Sequence, residues 1–148
     1  MQSSPAVLDA GLDVGTAARR LAQSGLEGMP VVAPDGRYVG MLTLRQIFGA
    51  ILPHAIKLGD LVGDLSYMHE SLRSMREDLA AIVKDPVSGH LDVQAPVVGP
   101  DTEVTKILQL NWAGHDVLPV VDPATHRLVG VVTSSDILTK LLDGVHAR

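Results

Sequence analysis

Apolar residues recur with a helical period between Val14 and Ser24, where Ala17 and Leu21 fall on one face. Gly25 follows directly, at the position where the end of a helix favours a residue that tolerates a positive φ. The pattern therefore predicts a helix that ends at Ser24.

After this helix the chain changes to short runs of β-branched and apolar residues, at Val31–Val32 and from Tyr38 to Thr43. Between the two runs, Pro34-Asp35-Gly36 is a turn signal that fits a hairpin. Helical spacing returns from Leu44 to Leu52, and Pro53 is predicted to end that helix. With a short extended lead-in at Ala6 to Leu8, the predicted unit is helix, strand, strand, helix.

The same unit occurs twice in the chain. Gly25-Leu-Glu-Gly-Met-Pro-Val-Val32 and Gly114-His-Asp-Val-Leu-Pro-Val-Val121 share a Gly to Pro spacing of five. Tyr38-Val-Gly-Met-Leu-Thr43 and Leu128-Val-Gly-Val-Val-Thr133 share a Gly to Thr spacing of three. The second copy adds a lead-in at Pro96 to Val98 and a helix from Ser134 to Leu142. Self-similarity of this extent indicates a duplicated supersecondary unit.

A single unit buries its apolar strands poorly, whereas two packed together form one core. We therefore expect an α/β fold of two pseudo-symmetric repeats, each a small sheet covered by helices, about an approximate twofold axis. The expected division is a first repeat at 1–53, a helical insertion and linker at 54–94, and a second repeat at 95–148.

The insertion carries apolar residues in alternating steps of four and three, which is a heptad seam formed by Leu61, Leu65, Met68, Leu72, Met75, Leu79 and Ile82. This spacing predicts one helix over 61–82. Two interpretations stay open: the seam lies on its own domain, or it pairs with the same helix of a second subunit. The segment from Asp85 to Gln94, with Pro86 and Gly89, is predicted to be a loop.

Composition narrows the classes of function. The 148 residues include 12 Lys and Arg against 17 Asp and Glu, a formal net charge of -5, which argues against electrostatic binding to nucleic acid. There is no cysteine, so disulfides, thiolate nucleophiles and cysteine-ligated metals are excluded. The apolar runs are too short to span a bilayer. We expect a soluble, cytoplasmic protein with no nucleic-acid or membrane partner.

Motifs of enzyme chemistry are missing from the sequence. It has no phosphate-binding Walker loop, no His-Glu-x-x-His, no Gly-x-Ser-x-Gly and no dinucleotide fingerprint. The six histidines fall in different segments, none at the helical spacing that places two ligands on one face. We therefore expect no catalytic residue, no metal site and no required cofactor.

The Gly-x-x-x-x-Pro-Val-Val run and the Gly-h-h-Thr-x-x-Asp signature, where h is apolar, resemble the tandem CBS (cystathionine β-synthase type) domain, also called a Bateman module. The resemblance covers about residues 5 to 52 and 95 to 145. The second copy follows the family's pattern closely, while the first has Gln46 where that pattern has an acidic residue. The resemblance implies a regulatory module that binds an adenosine-containing effector in the cleft between its repeats.

In this family the acidic residue of the signature holds the ribose hydroxyls with help from the threonine, which fits charge-assisted hydrogen bonding. The resemblance therefore implies a ligand site formed by Asp136, Thr133, Val132, Asp116, Val117, Leu118, Pro119, His115, Val97 and Val98. It implies a weaker second site at Thr43, Gln46, Glu27, Gly28, Met29 and Pro30. A capping box at the start of each following helix explains the same Thr-x-x-Asp and Thr-x-x-Gln spacing, and that alternative stays open.

Glu27 and Asp116 stand three residues before the proline of each Pro-Val-Val run. Beside a ligand, they would repel a bare triphosphate unless Mg²⁺ or a base such as His115 or Arg20 offset their charge. AMP, adenosine or the sulfonium S-adenosylmethionine are then favoured over metal-free ATP. The alternative, that both are solvated loop residues, stays open.

Two functions follow from the sequence. The first is a ligand sensor, a homodimer that acts on a separate target protein. The second is a structural dimerisation module with a vestigial nucleotide site.

Overall fold

The structure, a computed structural model, describes residues 7–59 and 65–146. The first repeat contains β1 (Leu8–Asp9), α1 (Val14–Ser24), β2 (Gly28–Val32), β3 (Tyr38–Thr43) and α2 (Leu44–Gly59). The insertion contains α3 (Leu65–Ile82) and a 3₁₀ helix at Val87–His90. The second repeat contains α4 (Val104–Trp112), β4 (Val117–Val121), β5 (Leu128–Thr133) and α5 (Ser134–His146). The expected α/β architecture of two helix-strand-strand-helix repeats is confirmed.

Helix α1 has the limits that its sequence predicts. Asp13 caps its first turn, where the carboxylate Oδ1 accepts the backbone N–H of Thr16 at 2.7 Å. These hydrogen bonds lower the pKa of Asp13 below its ordinary value. Gly25 ends the helix with a φ of +74°, a conformation that side chains with a Cβ rarely adopt.

The two sheets are built on the same plan. In the first, β1 runs parallel to β2, which pairs with β3 in antiparallel register. In the second, β4 and β5 form the antiparallel hairpin, and Val98 makes a single parallel bridge to Val120. The lead-in bridge of Leu8 to Val31 is thus repeated by Val98 and Val120, which follow 90 and 89 residues later.

Equivalent residues of the two repeats meet each other. Arg37 and Arg127, which correspond in the two hairpins, form an antiparallel bridge. At this bridge the backbone N–H of Tyr38 donates to the carbonyl of His126 at 2.9 Å, and the N–H of Leu128 donates to that of Gly36 at 3.2 Å. Because such self-matching contacts occur only on a twofold axis, the approximate axis passes through this bridge.

Pro53 does not end the second helix, so that prediction is wrong. Helix α2 continues from Leu44 through Gly59, across the expected boundary between repeat and insertion. An interior proline removes one helical hydrogen bond at a cost of about 3 kcal/mol. Packing of α2 along α3 is the tertiary contact that offsets this cost. Helix α5 is likewise longer than expected and reaches His146.

The insertion is helical over Leu65–Ile82, which confirms the predicted helix in the part that the structure describes; Leu61 lies outside the described residues, as does Ala6 of the first lead-in. Leu79 of the seam packs against the core of the first repeat. Leu72 is 46% exposed. The C-terminal end of the seam therefore lies on its own domain, while Leu72 remains accessible.

The segment after α3 is not a simple loop as predicted, because it is bonded into the first repeat. The N–H groups of Val14 and Gly15, at the start of α1, donate to the carbonyls of Asp85 and Val83, each at 2.9 Å. Val87 donates to the carbonyl of Leu12, also at 2.9 Å, and its side chain is completely buried in the first core. Periodicity could not reveal this segment, since it contributes one apolar anchor and otherwise only backbone.

Further along the chain, Asp92 pairs with Met41 as an additional edge of the first sheet, with N–H to O distances of 2.8 and 3.1 Å. Leu91 lies so close to Gly40 that a Cβ at Gly40 would approach its side chain to 3.0 Å. In the parts of the chain that the structure describes, no helix has both the length and the apolar character needed to cross a membrane.

We predict that Val87→Ala destabilises the protein, because it removes two methyl groups from a fully packed position. The transfer and cavity contributions together amount to about 1.5–3 kcal/mol, which urea unfolding measures as a lower midpoint at unchanged slope. Val93→Ala, in the same segment but 71% exposed, is the control and should change stability by less than about 0.5 kcal/mol. Equal midpoints for the two variants would contradict the anchoring role of Val87.

Candidate functional site

A cavity of about 670 Å³ lies between the two repeats. Its first wall is formed by the first repeat and includes Glu27, Gly28, Thr43 and Gln46. Its second wall is the loop that leads into β4, at 114–117. Asp92 and Ala95 of the linker close one side. A cleft of this volume is within the range of small-molecule and cofactor sites.

The two loops that face each other across this cleft are tied to helix N-termini in the same way. The first N–H of α2, at Leu44, donates to the carbonyl of Glu27 at 2.9 Å. The first N–H of α5, at Ser134, donates to the carbonyl of Asp116 at 3.1 Å. Each acidic residue is thereby held at the start of the helix that follows its hairpin.

Glu27 and Asp116, again equivalent residues of the two repeats, lie close enough for their carboxyl groups to interact. Hydrogen bonding to Asp116 and the charge of Asp116 raise the pKa of Glu27 above its ordinary value of 4.5. The Ser134 hydroxyl lies 3.2 Å from Asp116 Oδ1 and donates to it. A neighbouring negative charge raises the pKa of a carboxyl because it disfavours the ionised form.

The threonine motifs of the two repeats differ in how completely they cap their helices. In the second repeat, Asp136 N–H donates to Thr133 Oγ1 at 3.1 Å and Thr133 N–H donates to Asp136 Oδ2 at 2.9 Å, a complete capping box. In the first, Gln46 N–H donates to Thr43 Oγ1 at 3.0 Å. No bond returns from the Gln46 side chain among the described residues.

The residues singled out from the sequence are distributed over several places. Among those described, Glu27, Gly28, Thr43, Gln46, His115, Asp116 and Val117 line the cleft cavity. Val98, Val132 and Asp136 line a separate cavity of about 360 Å³ in the second repeat. Of the remaining predicted site residues, Met29, Pro30, Leu118 and Pro119 are buried within the strands. Val97 is about half exposed and lines neither cavity.

The cleft also contains groups that sequence reasoning missed. Arg45 lines it from the first turn of α2, between Thr43 and Gln46; its place inside the motif was a usable signal. Asp92 lines it because the linker pairs with Met41, and that long-range pairing leaves no local signal. The cleft thus carries three carboxylates, of Glu27, Asp92 and Asp116, and the guanidinium of Arg45. Within the described residues, no group of three or more His, Cys, Asp or Glu is placed to bind a metal.

The CBS domain family model matches residues 1–53 and 75–143. The chain belongs to the CBS domain family.

Solved structures share this CBS fold. A CBS domain protein from Streptococcus pneumoniae TIGR4 superposes with a TM-score of 0.69 at 23% identity, covering 98% of this chain and 80% of that one. The Listeria monocytogenes CbpB protein in complex with c-di-AMP gives a TM-score of 0.66 at 21% identity, covering 100% of this chain and 96% of that one.

A Methanocaldococcus jannaschii protein, proposed as an archaeal homologue of g-AMPK, gives a TM-score of 0.67 at 23% identity and covers 95% of this chain and 45% of that one. At these identities the likeness shows the fold. A comparison with curated protein sequences gives no match.

The repeat offset of 90 residues identifies the residues that would line the symmetry-related side of the cleft, next to Thr133 and Asp136. The positions 90 residues before Asp92 and Ala95 are Gln2 and Pro5, which lie outside the described residues. The cleft geometry on the Thr133 and Asp136 side is therefore described only by the capping box and the contact of Ser134 with Asp116.

We predict that Glu27→Gln stabilises the protein at pH 7 to 8, because it removes the repulsion between two carboxylates and offers Asp116 a donor. A carboxyl with a raised pKa contributes stability below its ordinary value of 4.5 and loses it as pH rises through the shifted value. The gain in thermal midpoint should therefore be largest at neutral pH and vanish near pH 4. Both groups are exposed, so the gain should be modest and fall with added salt.

The control is Glu103→Gln, because Glu103 is also exposed but lies in the second repeat, outside the cleft. It should show no such pH-dependent gain. A difference between Glu27→Gln and wild type that is independent of pH would contradict the carboxyl contact.

Proposed function

We propose that this chain is a regulatory module that binds an adenosine-containing effector in the cleft between its CBS repeats and carries out no chemistry of its own. The observation that carries the proposal is the cavity of about 670 Å³ in which the threonine motif of one repeat faces the loop before β4 of the other. The CbpB relative, solved in complex with c-di-AMP, supports a nucleotide as the ligand class.

Asp136 lines the cavity of the second repeat and not the 670 Å³ cavity, so we propose it as the ribose-binding group of a second, symmetry-related ligand position in the cleft. Its Oδ2 accepts the N–H of Thr133, and no hydrogen bond engages Oδ1 among the described residues. Capping and ribose binding are therefore compatible, because one carboxylate provides several acceptor positions. Gln46, its counterpart, is neutral and so forms weaker hydrogen bonds to a diol.

The charge of the cleft favours an effector with little net negative charge. Three carboxylates against Arg45 give the lining an excess of negative charge, which disfavours metal-free ATP by electrostatic repulsion. AMP, adenosine and S-adenosylmethionine fit this lining better, and Mg²⁺ would be needed to bring in a triphosphate. No cofactor is required for this function.

Because the cavity takes its lining from both repeats, an effector in it contacts both. Binding energy that depends on the relation of the two repeats shifts that relation. We propose that this shift is transmitted to a separate target protein, with the module acting as a homodimer.

A second candidate function is a structural dimerisation module whose nucleotide site is vestigial. The exposed apolar side chains favour it, in particular Leu72 on the heptad seam and Trp112, which is 94% exposed on α4. An adenosyl ligand should stabilise the sensor and leave the structural module unchanged.

We expect at least one of AMP, ADP, ATP, adenosine, NAD and S-adenosylmethionine, each with and without Mg²⁺, to raise the thermal midpoint. Ligand at 100 times its dissociation constant stabilises by about 2.7 kcal/mol, which is several degrees for a domain of this size. AMP or S-adenosylmethionine should exceed metal-free ATP. No shift with any compound would remove the sensing function.

The matched variants for this measurement are Asp136→Asn and Gln46→Ala. Asn retains an acceptor for the N–H of Thr133 but loses the charge, so the variant should keep its fold and bind the active ligand roughly 10- to 150-fold more weakly. Gln46→Ala should change the dissociation constant by only a few fold. Calorimetry gives both values, and wild-type affinity in Asp136→Asn would reduce this carboxylate to a helix cap.

We predict that the protein is a dimer in light scattering and that Leu72→Asp makes it monomeric while the repeats remain folded. The introduced charge would have to be buried in a helix pair, and Leu72 is accessible in the single chain. Ala80→Asp, an exposed position off the seam, should leave the dimer intact. A monomeric wild type would assign the seam wholly to its own domain.

A further inference from the structure

The C-terminal half of α5 lacks a packing partner in the single chain. Every residue from 138 to 145 is exposed. Half of these residues are large and aliphatic, with exposed fractions between 48% and 67%: Leu138, Leu141, Leu142 and Val145. A short helix owes most of its stability in water to the packing of an apolar face. This row of side chains, here called the α5 stripe, therefore needs a surface to cover it.

The first repeat covers its own equivalent helix. The counterpart of α5 is α2, which packs along α3 of the insertion. Ile51, at the position of Leu141, is only 8% exposed. In the part of the second repeat that the structure describes, no helix packs along α5 in this way. The aliphatic residues at the same place in the fold thus stay open to solvent.

Helix α4 carries a second exposed apolar row, here called the α4 stripe. Val104, Leu108 and Trp112 follow each other at steps of four, so they lie on one side of the helix. All three are exposed, and Trp112 is exposed by 94%. In α1 of the first repeat, the positions of Leu108 and Trp112 are occupied by Ala18 and Ala22. Large apolar side chains at these positions are therefore a feature of the second repeat alone.

The two stripes adjoin each other, because Val104 of one and Leu141 of the other border the same cavity. With these exposed fractions, the two stripes together present roughly 700 Å² of apolar surface. The largest patch on an ordinary monomer is about 300–600 Å². A stable protein pair buries about 800 Å² on each partner. The area of the two stripes is thus what one side of such a pair needs.

The α5 stripe is symmetric about its own midpoint, and this symmetry indicates what covers it. Leu141 and Leu142 form the centre, with Leu138 three residues before it and Val145 three residues after it. If two such helices lie antiparallel across a twofold axis, each central leucine meets its own equivalent and Leu138 meets Val145 of the partner subunit. A contact between identical copies must be self-complementary in this way, whereas a stripe for a different protein is under no such constraint.

The charges of both helices also suit a contact between copies. Lys140 and Asp143 each lie about 150° from the centre of the α5 stripe, at 100° per residue. Lys106 is about 200° from both Val104 and Leu108 on α4. The stripes themselves contain only uncharged residues. The face can therefore meet its own copy without bringing like charges together, although the chain has a net charge of -5.

We propose that two copies of this chain pair through the α4 and α5 stripes of their second repeats, about a twofold axis that crosses α5 between Leu141 and Leu142. This inference names a surface that joins the copies of the proposed homodimer and rests on that part of the proposed function. It does not depend on a nucleotide in the cleft. Pairing at Leu72 of α3 is compatible with it, since one twofold axis can pass through both contacts.

The first experiment uses the absence of cysteine from the chain, because a single introduced thiol then reports which surfaces meet. Leu142→Cys places a thiol beside the axis, facing the same thiol of the other copy at a separation suited to a disulfide. We expect a covalent dimer on a non-reducing gel after mild oxidation. Asp143→Cys is the matched control, exposed in the same turn but on the opposite side of α5, and should stay monomeric on the gel.

Equal cross-linking of the two cysteine variants would overturn the proposal, and so would a failure of Leu142→Cys to cross-link. A wild-type protein that is monomeric in light scattering would also overturn it. That outcome would leave ligand sensing standing, because the thermal shifts with adenosyl compounds are measured independently of the oligomeric state.

Leu142→Asp tests whether this contact holds the copies together. Leu142 is exposed in the single chain, so the aspartate is solvated in the monomer and loses its water only in the dimer. The dissociation constant of the dimer should rise at least about 10-fold, with an unchanged unfolding midpoint of the monomer. Thr139→Asp adds the same charge to α5 outside the stripe and is the control. Equal dissociation constants for the two variants would overturn the proposal, as would a dimer that Leu72→Asp dissociates and Leu142→Asp does not.

Discussion

The return of the linker onto the first repeat determines how the rest of this molecule is arranged. A hairpin of two strands with two helices has too little apolar surface for an independent core. The first repeat completes its core with Val87 and its sheet with Asp92, both supplied by the linker. The same pairing brings Asp92 and Ala95 into the lining of the cleft. One packing requirement thus shapes both the fold and the candidate site.

Because the chain contains a duplicated unit, equivalent residues of the two repeats meet on the approximate twofold axis. At the hairpin ends this is favourable, because backbone groups of Tyr38 and Leu128 find complementary carbonyls. At the cleft it brings Glu27 against Asp116, and two acids in contact raise the pKa of Glu27. Symmetry of fold combined with similar residues therefore concentrates charge of one sign at the place where a ligand would lie between the repeats.

Much of the fold followed from local signals in the sequence. The limits of α1 depend on Asp13 and Gly25, and the repeat spacing fixed the hairpins, because capping and turn residues act within a few positions of themselves. The prediction that Pro53 ends α2 was wrong, because a proline penalty of a few kcal/mol is small beside the packing of α2 along α3. Val87 could not be recognised, because its burial depends on α1, which lies far away in sequence.

For the candidate site, the sequence supplied the Thr-x-x-Asp and Thr-x-x-Gln motifs and the acidic loop residues, but not how they are grouped. The capping box at Thr133 and Asp136 is a local arrangement and was readable from spacing. The facing of Glu27 by Asp116 and the approach of Asp92 are long-range contacts. The first depends on how one repeat packs on the other and the second on the pairing of the linker with Met41, and no local pattern encodes either.

Helix α5 connects the cleft between the repeats with the cavity of the second repeat. Its first turn carries Ser134 and Asp136, which bond the cleft loop and Thr133, and Leu141 borders the second cavity. Residues 134 and 141 are about 10 Å apart along the helix axis at 1.5 Å per residue, so a displacement of one end moves the other. An effector that shifts α5 would therefore also move the wall of this cavity, because Asp136 and Leu141 both line it.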